Sequence, residues 1–163
     1  MAQQFEAFYV AEKDRCLRTL AVSTGDSVLA EDLVAEAFAR AWSKWPYVRR
    51  QPNPAAYVMR TAYNLNVSWW RRHSRERPLD EASEGSHLDD LTGIDHASLI
   101  AALPERQRQV LALRVLLDLD TRQTADVLGI AQGTVTAHLH RATTTLRTHL
   151  TTDSSDWTSH AGR

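Results

Sequence analysis

The feature that most constrains this chain is the spacing of its apolar residues. Between Ser27 and Trp45, the residues Ala30, Leu33, Val34, Ala37, Phe38, Ala41 and Trp42 recur at intervals of three and four. An α-helix turns once every 3.6 residues, so this spacing gathers them on one face, whereas a strand needs alternation by two. Further stripes run through Phe5, Phe8, Leu17 and Leu20, through Tyr57, Val58, Ala62, Leu65 and Trp69, and through Val110, Leu111, Leu113 and Leu116. Alternating patterns are missing and glycine is scarce within the stripes, so the chain is expected to be all-α. Helices are expected over roughly 4–22, 27–45, 54–73, a short piece from 95 or 98 to Pro104, 105–117 and 121–150. The breaks fall at Ser23-Thr24-Gly25-Asp26, at Pro46 with the stretch YVRRQPNP, and at Pro104. Pro54 suits the first turn of the third helix.

The net charge of −1 conceals a segregation. Residues 49–77 hold seven Arg against one acid, Glu76, while residues 78–95 hold six acids and no Lys or Arg. That reversal, with Pro78, Gly85 and Gly93, reads as an acidic flexible linker over 78–96. It divides the chain into two small helical domains, 1–77 and 97–150, followed by a polar tail, 151–163. Each domain is near the size at which burial becomes marginal, so a partner is expected to help stabilise both.

Several function classes are excluded. The single cysteine, Cys16, rules out an intramolecular disulfide framework and a multi-Cys metal site; it suits a reducing cytoplasm and reads as helix core. No apolar run reaches the ~18 residues of a membrane span, and MAQQFEAFYVAEKDR lacks the basic and apolar parts of a signal peptide. A cytoplasmic protein without membrane insertion is expected. No carboxylate pair, catalytic triad or phosphate-cradling glycine loop appears, so no enzyme, catalytic residue, cofactor or small-molecule substrate is expected. His138 and His140 stand ~200° apart on a helix and cannot share a metal, so no metal site is expected.

The segment TRQTADVLGIAQGTVTAHLHRATTTLRTHL carries the marks of a helix-turn-helix. Thr121 is expected to cap a first helix that turns Ala125 and Leu128 inward. Gly129 supplies the turn, and Ile130 fills the angle. In the second helix, from about Gly133-Thr134, the inward stripe is Val135, Leu139, Ala142 and Leu146. Thr134, Thr136, Ala137, His138, His140 and Arg141 are then expected on the faces free to enter a major groove, with Arg122 on the first helix beside them. From Arg122 to Leu150 the only acid is Asp126, as a surface meeting phosphates requires. An ordinary helical hairpin is the plainer alternative.

The other basic segment is VSWWRRHSRER at the end of the third helix. Trp69 continues the apolar stripe and reads as core. Trp70, Arg71 and Arg72 lie off it, with Arg60 and Asn64 on the same side and the loop Tyr47, Arg49, Arg50 and Asn53 before it. Arginines along a backbone, aromatic faces against bases and amides on base edges suit single-stranded DNA. A helix C-terminus capped by arginines is the plainer alternative.

AEDLVAEAFARAW, then NPAAYVMRTAYNLNVSWWRR, then LPERQRQVLALRVLLDLDTRQTADVLGIAQGTVTAHLHRA resemble, in that order, the regions of extracytoplasmic-function (group 4) sigma factors of bacterial RNA polymerase. The resemblance covers residues 5–150. It implies sigma domain 2, a linker and the helix-turn-helix sigma domain 4. It also implies binding to core polymerase through its beta and beta-prime subunits, recognition of −10 and −35 promoter elements, and melting at −10. Glu31, Asp32, Leu33, Glu36, Phe38 and Trp42 would dock on the clamp helices of the largest subunit. The loop from Tyr47 would hold a flipped base, Arg60 and Asn64 would line the melted strand, and the helix 134–146 would read −35. The acidic linker would run toward the RNA exit path. An anti-sigma factor is among the partners the family allows. One departure is Thr136-Ala137-His138, where many members carry basic residues, which implies an altered −35 preference and lower duplex affinity. The rival readings are a free-standing helix-turn-helix regulator of duplex operators and a protein adaptor.

Overall fold

The computed structural model describes residues 1–74 and 96–160, with side chains through residue 151. Most of the acidic linker lies outside the described residues. Among the described residues every regular element is an α-helix: α1 (Ala2–Thr24), α2 (Ser27–Ser43), α3 (Trp45–Val48), α4 (Pro54–His73), α5 (His96–Ala101), α6 (Glu105–Val115), α7 (Thr121–Leu128) and α8 (Gln132–His160).

The ends follow local chemistry. Gly25 closes α1 in the left-handed conformation, φ 71°, which costs glycine nothing. Asp26 then caps α2 by accepting from the Leu29 N–H at 3.0 Å. Two expectations shift. The helix over 27–45 ends at Ser43, and the short α3 carries Pro46 at its start, where a missing N–H is harmless. The cap of α7 is Asp120, not Thr121. Asp120 accepts from Gln123 N–H at 2.7 Å while the Gln123 carboxamide accepts from Asp120 N–H at 3.1 Å, a reciprocal box that satisfies two end groups. The helical backbone of α8 also continues to His160, past the expected end near 150.

The two sequence-defined domains share one core. Leu20 of α1, Leu33 and Phe38 of α2, and Val58, Met59 and Ala62 of α4 form an apolar cluster that also takes in Leu113, Leu117, Leu119 and Val127 from the C-terminal half. Each of those four side chains is at most 4% exposed, and each such burial is worth roughly 1.5–3 kcal/mol of transfer free energy. The C-terminal half keeps only a small cluster of its own: Val110, Ala125 and Val135, with Leu128, Ile130 and Leu139 against it. The halves therefore supply the burial that neither has alone.

This shared core changes the stripe expected on α4. Because α4 packs against α1, α2 and α7, its buried set is wider: Met59, Tyr63 and Asn66 are buried, while Tyr57, Leu65 and Trp69 are half-buried. Leu116, expected inside, is 36% exposed; α6 has ended at Val115 and Leu117 takes the inner place. Asp118 then turns with φ 54°, a region Asp tolerates better than most residues. Arg114 donates to the Leu119 carbonyl at 2.6 Å across that turn.

Candidate nucleic-acid interface

The first candidate surface is built on α4 and the loop before it. Asn53 caps the helix by accepting from Ala56 N–H at 3.2 Å, so its carboxamide oxygen is committed to structure. Arg60 and Asn64 follow one turn apart and are exposed, and Arg71 continues their line. The Tyr47 ring, 59% exposed, meets the Tyr57 ring edge to face at 6.1 Å. Tyr47, Asn53, Tyr57, Arg60 and Asn64 line one groove of about 530 Å³. On the α4 side the groove joins aromatic faces, amides and the Arg60 guanidinium, the set that stacks on and hydrogen-bonds an unpaired base, while Asp120, Arg122 and Asp126 line its other wall. Arg50 is exposed outside it. Arg49 is turned away, donating to Gln4 Oε1 of α1 at 3.0 Å.

The paired tryptophans divide by burial. Trp69 packs half-buried against the core and stacks on His73 at 4.1 Å; Trp70, at right angles to it, is 44% exposed. Trp70, Arg71 and Asn64 line a second groove of about 620 Å³ on the other flank of α4. Arg72 is exposed and folds back to the Ser68 carbonyl at 3.4 Å. Tyr57, placed in the core by its stripe, does pack half-buried against it and also lines the first groove. Its place three residues before Arg60 and seven before Asn64 was the available signal.

The second surface is the outer face of α8. Thr134, Thr136, His140 and Arg141 are exposed, as is Arg122 on α7, while Ala137 is half-buried. His138 departs from expectation. It lies three residues after Val135 and four before Ala142, both fully buried, so it flanks the packed face; its Nδ1 is closed to solvent and has no partner among the described residues. Thr144 and Arg147 are exposed on the same helix and were not anticipated. The turn before α8 is closed by Gly129, φ 65°, with the Ile130 N–H returning to the Ala125 carbonyl at 3.1 Å.

The third surface is the outer edge of α2. Glu31, Asp32 and Glu36 are exposed, with Glu36 paired to Arg40 at 2.8 Å, and Trp42 is 47% exposed beside Phe5, ring centroids 5.0 Å apart. Leu33 and Phe38, expected to touch a partner, are 7% and 2% exposed. They belong to the apolar stripe that builds the core, and their burial withholds them from a partner in this form of the chain.

The sequence profile of Sigma-70 region 2 matches residues 8–76, and that of Sigma-70, region 4 matches residues 97–146. The chain belongs to the sigma-70 family of RNA polymerase sigma factors. Its relatives include the RNA polymerase sigma-E factor of Streptomyces coelicolor, 34% identical over 152 residues that cover 90% of this chain and 86% of that one. Another is the ECF RNA polymerase sigma factor SigL of Mycobacterium tuberculosis, 31% identical over 135 residues, 76% of each chain. The fold is also that of the sigma factor RpoE from Bartonella quintana, solved in complex with the anti-sigma factor NepR, at a TM-score of 0.75, 21% identity, and coverage of 93% of this chain and 99% of that one. The chain is therefore an extracytoplasmic-function sigma factor, and the reading as a free-standing regulator is not favoured: region 2 precedes region 4 in one chain. Among the described residues no helix is long and apolar enough to cross a membrane.

Proposed function

We propose that this sigma factor divides its work among the three surfaces. The acidic edge of α2, with Glu31, Asp32, Glu36 and Trp42, binds core polymerase at a basic surface of the largest subunit. The groove of Tyr47, Asn53, Tyr57, Arg60 and Asn64 takes an unpaired base of the −10 element, and Trp70, Arg71 and Arg72 follow the melted strand. The outer face of α8, with Thr134, Thr136, His140 and Arg141, lies in the major groove at −35, and Arg122 reaches phosphate beside it. The observation that carries this assignment is the first groove, where residues from the 47–53 loop and from α4 converge. The domain limits that follow are region 2 over 1–77 and region 4 over 97–150. The chain does no chemistry of its own and acts in the cytoplasm, where polymerase and promoter meet. An anti-sigma factor belongs among its partners, a reading supported by the Bartonella neighbour, which is solved with one.

The test pairs core binding with transcription. Glu36→Lys reverses an exposed charge and is expected to reduce co-purification with core polymerase while helicity stays normal. Phe38→Ala, in contrast, opens the core and is expected to cost about 3–5 kcal/mol of stability. Asn64→Ala is expected to keep core binding and lose selectivity among −10 variants in run-off transcription. Full selectivity in Asn64→Ala would remove the −10 assignment.

A further inference from the structure

We infer that the middle of α8 selects thymine in the −35 element, recognising its C5-methyl through the methyl groups of Thr136 and Ala137. The inference rests on the assignment of α8 to −35 and names the base that this helix takes. Val135 and Ala142 are fully buried and fix the packed side of the helix. Successive residues are ~100° apart, so Gly133 and Ala137, each two residues from Val135, fall on the opposite side. They stand one turn apart and form the middle of the outer face. A Cβ on Gly133 would meet nothing within 4 Å, so that side is open. Ala137 is half-buried. Helical side chains lean toward the N-terminus, which brings His140 and Arg141 alongside its methyl.

Thr136 borders this pair and is exposed. Its hydroxyl donates to the Gln132 carbonyl one turn back at 3.2 Å. A hydroxyl carries one proton, so Thr136 has none left to give to guanine O6 or to the N7 of either purine. The side chains of Gly133 and Ala137 hold no donor at all. The middle of the face thus lacks a donor for a purine and presents methyl groups instead. Thymine alone among the four bases carries a methyl in the major groove, and the methyls of Ala and Thr are apolar groups that meet it there. The polar groups lie to the sides: Thr134 and Arg141 on one flank and His140 on the other, by the same ~100° step.

The short side chains serve the same contact. Dispersion between methyl groups acts only at close range, and Gly133 with Ala137 lets the helix approach the groove floor. An arginine at 136 or 137 would hold the helix farther off and would reach guanine O6 and N7 instead. The Thr136-Ala137 pair therefore changes which base is read, and does more than weaken the grip on the duplex.

The test uses holoenzyme reconstituted from the full chain and core polymerase, which enriches its own upstream element from a library of randomised duplexes. In the enriched duplex each thymine of that element is replaced in turn by deoxyuridine, which pairs identically and lacks only the methyl. At the positions facing Thr136 and Ala137 the replacement is expected to weaken binding about fourfold, the effect of losing one buried methyl contact. At the same positions 5-methylcytosine is expected to bind more tightly than cytosine by a similar factor. Thr136→Val keeps the methyl and loses the hydroxyl, so its thymine-to-uracil ratio is expected to hold. Thr136→Ser keeps the hydroxyl and loses the methyl, and Ala137→Gly loses its only methyl; each is expected to bring the ratio at its own position close to one. The ratio is internal to each variant, so a general loss of stability leaves it unmoved. An enriched element without thymine, thymines that all tolerate uracil, or a ratio lost in Thr136→Val and kept in Thr136→Ser and Ala137→Gly would overturn the methyl reading and leave α8 at −35. No enriched upstream element, or one bound equally well by Arg141→Ala, would remove α8 from −35 and the methyl reading with it.

Discussion

The hydroxyl of Tyr63 on α4 is hydrogen-bonded to the hydroxyl of Ser23 on α1, and both side chains are buried. Ser23 also donates to the Thr19 carbonyl one turn back, so its proton is committed and Tyr63 is the donor between them. The pair joins two helices of region 2, and the Ser23 carbonyl accepts from Arg108 of α6 at 3.2 Å. Tyr63→Phe removes that donor and leaves Ser23 with its own bond intact. The expected cost is about 1 kcal/mol, or roughly 2–4 °C in thermal midpoint for a chain of this size. Differential scanning calorimetry checks it; an unchanged midpoint would mean the bond contributes nothing.

Stability is expected to fall in alkali. Burial pushes the Cys16 thiol up from 9.0 to about 12, with Glu12 adding to the shift and Arg15 opposing it. Burial likewise raises Tyr63 above 10.0. Both groups are protonated in folded and unfolded chains below pH 9, so they have no effect there. Above pH 9 the unfolded chain releases the thiol proton while the folded chain retains it, and stability declines until about pH 12. The slope is at most about 1.4 kcal/mol per pH unit per group. Urea unfolding of the parent chain and of Cys16→Val between pH 8 and 10.5 separates the thiol's share. A parallel decline in both would exclude Cys16 as the cause.

Gly129 is expected to tolerate few replacements. It closes α7 at φ 65°, where a side chain is strained whatever the space around it, although a Cβ there would meet nothing within 4 Å. Gly129→Ala should therefore cost about 1–2 kcal/mol through the backbone alone, and Gly129→Asn less. Denaturant melts of the two variants give the comparison. Equal losses in the two variants would exclude left-handed strain as the cause.

Helix identity was legible because it rests on spacing, which the chain states plainly in α2 and α4. Leu33 and Phe38 lie on the buried part of the α2 stripe, whereas Trp42, at its edge, packs on Phe5 and stays half-exposed. The cap at Asp120 was also readable, since Asp120 and Gln123 stand three apart as a reciprocal box requires. The packing of the C-terminal half on the N-terminal half was not readable. Leu117 and Leu119 lie in a turn with no period, and Tyr63 and Asn66 are polar residues buried on a face of α4 that the sequence leaves open. Contacts such as Arg15 to Leu117, 102 residues apart, have no local signature.

The rotation of α8 about its axis decides which residues reach DNA. Val135 and Ala142 are fully buried, which fixes the packed face and sets Arg141 well away from it. His138, three residues after Val135, is carried toward that face, and its Nδ1 is closed to solvent. Arg141 is therefore expected to meet a phosphate and His138 is not. Each phosphate contact on duplex DNA releases about 0.9 of a counterion, so losing one lowers the slope of log K against log salt by about that amount. Arg141→Ala should reduce the slope by about one and weaken binding similarly on all sequences. His138→Ala should leave the slope unchanged and alter stability instead, because it empties part of the packed flank. Anisotropy titrations of the full chain on a 30-base-pair duplex, from 50 to 200 mM salt, measure both. A slope that falls with His138→Ala and holds with Arg141→Ala would mean that the helix enters the groove by a different face.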